Sequence, residues 1–285
     1  MKYILLLLMT FSLIGTSSVS ADSSSTLDSI KKSGKIKIGY RQSEPPMSFD
    51  DENGNPVGYS IDLCKRIASN VSTTIGKEVE IEYVPVTSKD RFSAVSSGKV
   101  DILCGSTTKT LTRREKVDFT QNTFVTGASF MTLAGSQFNE LAQLDGAKVG
   151  VVKDTTTEVT LKKLLKDTLT NAEVVTYNTA DEAMDALRNE EIRAFTSDQV
   201  VLIGLVITAK DQDNFAISPQ VFSFEPFALA VKRNDADFRL VADRALSQLN
   251  RTGQILQIYN KWFGGFAKEM PPMHQALYQM NSTPE

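Results

Sequence analysis

Histidine and tryptophan each occur once in this chain of 285 residues, and cysteine only twice. With His274 as the lone imidazole, neither a histidine-based metal site nor a Ser-His triad is expected. Two cysteines are too few for a disulfide scaffold or a zinc cluster. A charge excess is missing as well: 31 basic residues meet 34 acidic ones, for a net charge of -3. A dedicated nucleic-acid binder carries a basic surplus or a basic run, and neither is present. Low-complexity tracts and short-period repeats are also lacking. Past the N-terminus no apolar run approaches the ~20 residues of a membrane-spanning helix. No metal, cofactor or nucleic-acid partner is expected.

What is there is ordinary globular composition, long enough for one large or two medium domains. The first residues are different in kind. Lys2 precedes Ile4-Leu5-Leu6-Leu7-Leu8-Met9, the apolar stretch fades near Gly15, and Val19-Ser20-Ala21 closes it. A charged start, a short apolar centre and small residues before a cleavage point make a secretory signal peptide, expected at residues 1–21. No cysteine stands at the cleavage point, so no lipid anchor is expected. The mature chain is read as soluble and exported.

Strand and helix patterns then alternate. Lys35-Ile36-Lys37-Ile38-Gly39-Tyr40 alternates as a strand. Ile61, Cys64, Ile67, Ala68 and Val71 share a helix face, Glu80 to Val84 is a second strand, and Val100 to Cys104 a third. A short helix near 89–97 buries Phe92 and Val95. After about residue 127 a second set follows, with strands at Lys148–Val152, Glu173–Val175 and Ile192–Phe195, and helices between them. Phe227–Val231 is a further strand, residues 238–263 form two helices, and a polar tail from Glu269 is expected to wrap the surface. The alternation predicts α/β architecture with mainly parallel sheets.

Open α/β sheets bind ligands beyond the carboxyl ends of their strands. The residues there are Arg41 after the first strand, Thr87, Ser88 and Arg91 after the second, and Gly105-Ser106-Thr107-Thr108 with Arg113 after the third. The second set contributes Asp154-Thr155-Thr156-Thr157 and Asp198. Arginine holds carboxylates through a planar fork of donors, and Asp198 can accept from an ammonium. Three arginines and one aspartate suit a ligand with two carboxylates and one ammonium, glutamate or aspartate. Each residue has a plainer reading: solvated arginines, and helix caps at Ser88, Thr155 and Asp198. Glu44-Pro45-Pro46 reads as a loop. Cys64 and Cys104 either pair in an oxidising compartment or remain two buried thiols; spacing does not decide.

At these residues the sequence resembles the periplasmic solute-binding proteins of amino-acid ABC transporters (family 3), in their glutamate/aspartate-binding branch. The general signature lies in Val57-Gly58-Tyr59-Ser60-Ile61-Asp62-Leu63, Arg113-Arg114-Glu115-Lys116-Val117-Asp118-Phe119-Thr120, Leu144-Asp145-Gly146-Ala147-Lys148-Val149-Gly150-Val151 and Tyr259-Asn260-Lys261-Trp262-Phe263. The branch is suggested by Gly39-Tyr40-Arg41, Pro85-Val86-Thr87-Ser88-Lys89-Asp90-Arg91 and Cys104-Gly105-Ser106-Thr107-Thr108.

The resemblance implies a two-lobed type II binding-protein fold with a two-strand hinge near 123–128 and 219–225. Lobe one would be residues 22–126 and 222–285, and lobe two the inserted residues 127–221. By position, Arg113 would hold the α-carboxylate with Ser106, Thr108 and Thr156, Asp198 the ammonium, and Arg41, Ser88 and Arg91 the side-chain carboxylate. The resemblance implies a periplasmic monomer that delivers L-glutamate or L-aspartate to inner-membrane permease subunits and performs no catalysis. Enteric-type relatives carry a lobe-two histidine that Tyr177-Asn178-Thr179 lacks here; Asn178 or Thr179 could replace its hydrogen bond. That departure admits glutamine or asparagine as ligand. A cyclic dicarboxylate dehydratase on the same fold is the alternative of another class.

Overall fold

The computed structural model describes residues 25–138, 140–265 and 269–285. The expected signal peptide, residues 1–21, lies outside them.

Ser25 caps α1 (Thr26–Ser33) by accepting from the Asp28 amide, and Gly34 ends it in the left-handed region at φ 75°. The helix feeds β1 (Lys35–Tyr40), whose Ile36 and Ile38 are fully buried. A loop follows that the sequence reads as irregular. It is instead pinned by a small antiparallel sheet of β2 (Ser43–Glu44), β3 (Ser48–Asp50) and β4 (Pro56–Val57). In α2 (Tyr59–Ile75), Ile61, Leu63, Cys64, Ile67 and Val71 are removed from solvent. Each large side chain so buried contributes ~1.5–3 kcal/mol. The helix packs over β1 and β6 (Ile102–Cys104); β6 and, on the other side, β5 (Glu80–Pro85) pair with β1 in parallel. Cys64 of α2 is disulfide-bonded to Cys104 at the end of β6. Between β5 and β6 lies α3 (Arg91–Ser96), and α4 (Leu111–Arg114) follows β6.

Both sheets are mixed rather than mainly parallel. β7 (Val117–Thr126) and β8 (Ala128–Leu133) are separated by Gly127 alone; the first belongs to the first sheet and the second to another. Neither strand shows a clean period-two pattern, and the sequence reading passes over them. Val117 to Thr126 carries Asp118, Thr120, Gln121, Asn122 and Thr123, several of which meet tertiary partners: Asp118 pairs with Arg239, and Gln121 Oε1 accepts from Ser247. The Gln121 backbone amide also donates to Asp243 Oδ1.

The second sheet has the order β10-β9-β11-β8-β12. β9 (Lys148–Val152), β10 (Glu173–Tyr177) and β11 (Ala194–Asp198) are parallel; β8 runs against them, and β12 (Phe215–Ile217), antiparallel to β8, runs in their direction. They are linked by α5 (Thr156–Asp167), α6 (Ala180–Arg188) and α7 (Gln199–Thr208). Val159, which marks the apolar stripe of α5 in the sequence, is 69% exposed, while Leu161 and Leu165 carry the core contact. The chain then returns to the first sheet as β13 (Glu225–Lys232), antiparallel to both β6 and β7. The result is two α/β lobes joined by two crossings.

α8 (Ala236–Arg251) and α9 (Gln254–Phe263) complete the first lobe. The tail does not merely wrap the surface. Pro272 opens α10 (Pro272–Met280), which buries His274 and Tyr278. The Tyr278 hydroxyl meets that of Tyr59 at 2.9 Å, and the His274 ring lies 4.3 Å from that of Phe124 on β7. No helix among the described residues is long and apolar enough to cross a membrane.

Candidate functional site

β1, β5 and β6 run parallel and end at one edge of the first sheet. Because β13 is antiparallel to β6, its first residues lie at that same edge, tied there by the bridge between Thr108 and Phe227. The second lobe brings the end of β11 and the start of α5 against this edge. The lobes enclose a polar cavity of about 20 Å³ between Glu44, Arg91, Ser106, Thr108 and Arg113 on one side and Thr155, Thr156, Thr157 and Asp198 on the other. A larger apolar groove of about 540 Å³ at the crossings, lined by residues such as Phe124, Phe224 and Met273, has no charged group in its wall.

Arg91 is the first residue of α3 and is 2% exposed. Its Nε is buried without a hydrogen-bond partner. Burial pushes its pKa well below the usual arginine value, with Arg113 and Arg41 adding repulsion and Glu44 and Asp198 offsetting part of it. Arg113 donates from Nη1 to the Thr108 carbonyl at 2.7 Å, and burial lowers its pKa as well. Both guanidinium groups sit over the Phe92 ring, at 5.0 and 5.1 Å from its centroid. Phe92 thus holds the two cations side by side; its place beside Arg91 in a short helix was the sequence signal, and the residue reads there as core. Among the described residues neither arginine makes a salt bridge.

Asp198 ends β11 and precedes α7, but its side chain does not cap that helix. It is 8% exposed, and Oδ1 has no partner. Burial raises its pKa well above the ordinary 3.8; Glu225 and Glu44 push it further, and Arg113 and Arg91 offset part of the shift. A cation brought beside this carboxyl would favour its charged form.

The other expected residues divide. Thr156 does reach across the cleft: its Oγ1 lies 3.3 Å from that of Thr108, and both hydroxyls donate to Glu225 Oε2, at 2.9 and 2.6 Å. Ser223 donates to the other oxygen of Glu225 at 2.7 Å. Glu225, absent from the sequence-derived set, is 2% exposed. A search restricted to strand ends overlooks it because it starts an antiparallel strand. Arg41 does not line the cavity, since Glu44 holds it in an ion pair at 2.9 Å, Nη1 to Oε1, without the alignment of a hydrogen bond. Ser106 donates to the other oxygen of Glu44 in a short contact. Glu44 is therefore a buried member of the site and not a plain loop residue.

Ser88 is buried but does not line the cavity either, and it caps no helix: α3 begins three residues later, after Asp90. Thr155 does cap α5 by accepting from the Glu158 amide at 3.1 Å. Neither proposed stand-in for the missing histidine faces the cavity. Thr179 accepts from the Glu182 amide as the cap of α6, and the Asn178 side chain donates to Glu182.

The model of bacterial extracellular solute-binding proteins, family 3, matches residues 36–265. A glutamate/aspartate import solute-binding protein of Salmonella typhimurium is 30% identical over 240 residues, which cover 84% of this chain and 80% of that protein. An L-glutamate/L-aspartate-binding protein of Pseudomonas aeruginosa is 31% identical over 249 residues, 87% of this chain and 82% of that one. Among solved structures, an ancestral arginine-binding protein bound to arginine superposes with a TM-score of 0.73 at 31% identity, covering 81% of this chain and 99% of that one.

Proposed function

This chain belongs to the bacterial extracellular solute-binding proteins, family 3, and we propose that it captures L-glutamate or L-aspartate between its lobes and delivers it to the permease subunits of an ABC importer. One observation carries the reading. Arg91 and Arg113 flank a single closed cavity without carboxylate partners of their own among the described residues, and Asp198 faces it with an unpartnered oxygen. Two cations and one anion complement a ligand with two carboxylates and one ammonium.

Arg113 holds the α-carboxylate, joined by Ser106, Thr108 and Thr156 when their hydroxyls turn from Glu44 and Glu225 to the ligand. Asp198 holds the ammonium. Arg91, supported by Ser88 and by Arg41 behind it, holds the side-chain carboxylate. Residues 22–126 with 222–285, and residues 127–221, close on the ligand as two bodies bending at the crossings. The protein acts as a monomer in the periplasm, after removal of residues 1–21, and performs no chemistry on its ligand. Relatives named for glutamate/aspartate import or binding support this reading.

The test is a thermal-shift screen against the common amino acids at ~1 mM, on protein refolded to remove co-purified ligand. For a Kd of ~1 μM, that excess stabilises by roughly 4 kcal/mol, a midpoint shift on the order of 10 °C. A shift with acidic amino acids supports the reading. A shift with basic amino acids alone overturns it.

A further inference from the structure

The cleft holds more negative charge than a diacid site requires. Arg41, Arg91 and Arg113 face Glu44, Asp198 and Glu225, so the charged side chains cancel. Asp198 has its role in the reading above, and Glu225 is satisfied by three hydroxyls. Glu44 is different, because it is spent on an arginine. Glu44 is 7% exposed, and its carboxylate lies against Arg41 and Ser106. The arrangement is built in at the backbone: Ser48 Oγ accepts from the Arg41 amide and donates to the Arg41 carbonyl, each at 2.9 Å.

We propose that Glu44 is a fixed counter-charge to Arg41 and sets how strongly this cleft prefers an acidic side chain over the corresponding amide. The inference rests on the amino-acid-binding reading and deepens it. With Glu44 in place, the end of the site near Arg41 and Arg91 carries one net positive charge rather than two. An acidic side chain gains less there, and a neutral amide of the same shape is penalised less. The field of Glu44 reaches the ligand-facing groups directly: it favours the charged forms of Arg91 and Arg113 and opposes ionisation of Asp198. A unit charge a few ångströms from the ligand in a buried site is worth on the order of tenfold or more in affinity.

The experiment is isothermal titration of the wild type, Glu44→Gln and Glu44→Asp with L-glutamate, L-glutamine, L-aspartate and L-asparagine at one pH and ionic strength. Gln keeps the shape and removes the charge; Asp keeps the charge. In Glu44→Gln the acid-to-amide affinity ratio is expected to rise about tenfold or more, while Glu44→Asp stays near the wild-type ratio. An unchanged ratio in Glu44→Gln, a ratio moved toward the amides, or an equal change in both variants overturns the proposal, as does loss of all binding in a folded Glu44→Gln. If that variant does not fold, Glu44→Ser is read in the same way. Failure of the underlying reading is visible separately, because the wild type would then bind none of the four ligands.

Discussion

Gly204 of α7 lies directly against Pro45 across the two lobes. A Cβ on Gly204 would stand 2.2 Å from the Pro45 carbonyl oxygen and 2.6 Å from Pro46 Cδ. Backbone, not a pliable side chain, fills that space, so the approach of α7 to the β2 loop depends on a missing methyl group. Gly204→Ala should therefore oppose closure while leaving each lobe intact. Overpacking of this kind costs ~1–3 kcal/mol, and the cost falls on the closed form alone. Ligand affinity should drop by roughly tenfold or more, while the ligand-free midpoint changes little. Titration calorimetry paired with small-angle scattering checks both halves. Unaltered affinity would mean that closure does not bring these residues together in solution.

The two unpaired arginines separate by substitution. Arg113→Ala should abolish binding of every amino acid, because all share the α-carboxylate. Arg91→Ala should weaken acidic ligands far more than amides. Removing one partner of a desolvated charge pair costs roughly 2–5 kcal/mol, well outside calorimetric error. Full binding in Arg113→Ala would displace the α-carboxylate from that residue.

How far the sequence reaches is clearest from Arg91, Glu225 and Glu44. Parallel strands announce themselves by apolar runs and place their site residues just beyond their ends, which is how Arg91, Arg113 and Asp198 come to light. Glu225 sits at the start of a strand, and only the antiparallel pairing of β13 with β6 brings it to the same edge. Glu44 looks like a loop acid because its partner, Arg41, is reached through the small sheet that folds the loop back. β7 and β8 escape the periodicity because polar residues such as Gln121 and Ser129 turn to tertiary partners and not to solvent. The tail helix α10 is hidden for a related reason: its anchor is the Tyr59–Tyr278 contact, between residues 219 positions apart.

The Cys64–Cys104 bond ties α2 to the end of β6, which leads into Gly105 and Ser106, and its two cysteines are 40 positions apart. Closing a loop of that length stabilises by about 4 kcal/mol in the chain-entropy account. Replacement of both cysteines by serine, or reduction under native conditions, should lower the midpoint by roughly 10 °C. Scanning calorimetry with and without reductant measures it. Since both sulfurs are fully buried, reduction should be slow unless the protein is partly unfolded. An unchanged midpoint after verified reduction would assign the stability of this lobe to packing alone.

Asp198 gives the site a pH signature whose sign can be worked out. Burial raises its folded pKa well above 3.8. The folded, ligand-free protein thus binds a proton that the unfolded chain has already released between about pH 4 and the raised value. The protonated carboxyl favours the fold in acid, and that advantage is lost as pH rises through the folded pKa. Asp198→Asn removes the titration. The variant should accordingly melt higher than the wild type at neutral pH without ligand, and the two should converge as pH falls toward 4. Ligand inverts the comparison. An ammonium beside Asp198 favours the carboxylate, so binding expels the proton, and wild-type affinity should fall as pH drops through the ligand-free pKa. Asp198→Asn should bind weakly at every pH and show a flatter profile. Midpoints and titrations across that range, in two buffers of different ionisation enthalpy, report the proton released. A wild type whose affinity is independent of pH, and whose stability parallels that of Asp198→Asn, would place the ammonium on another group.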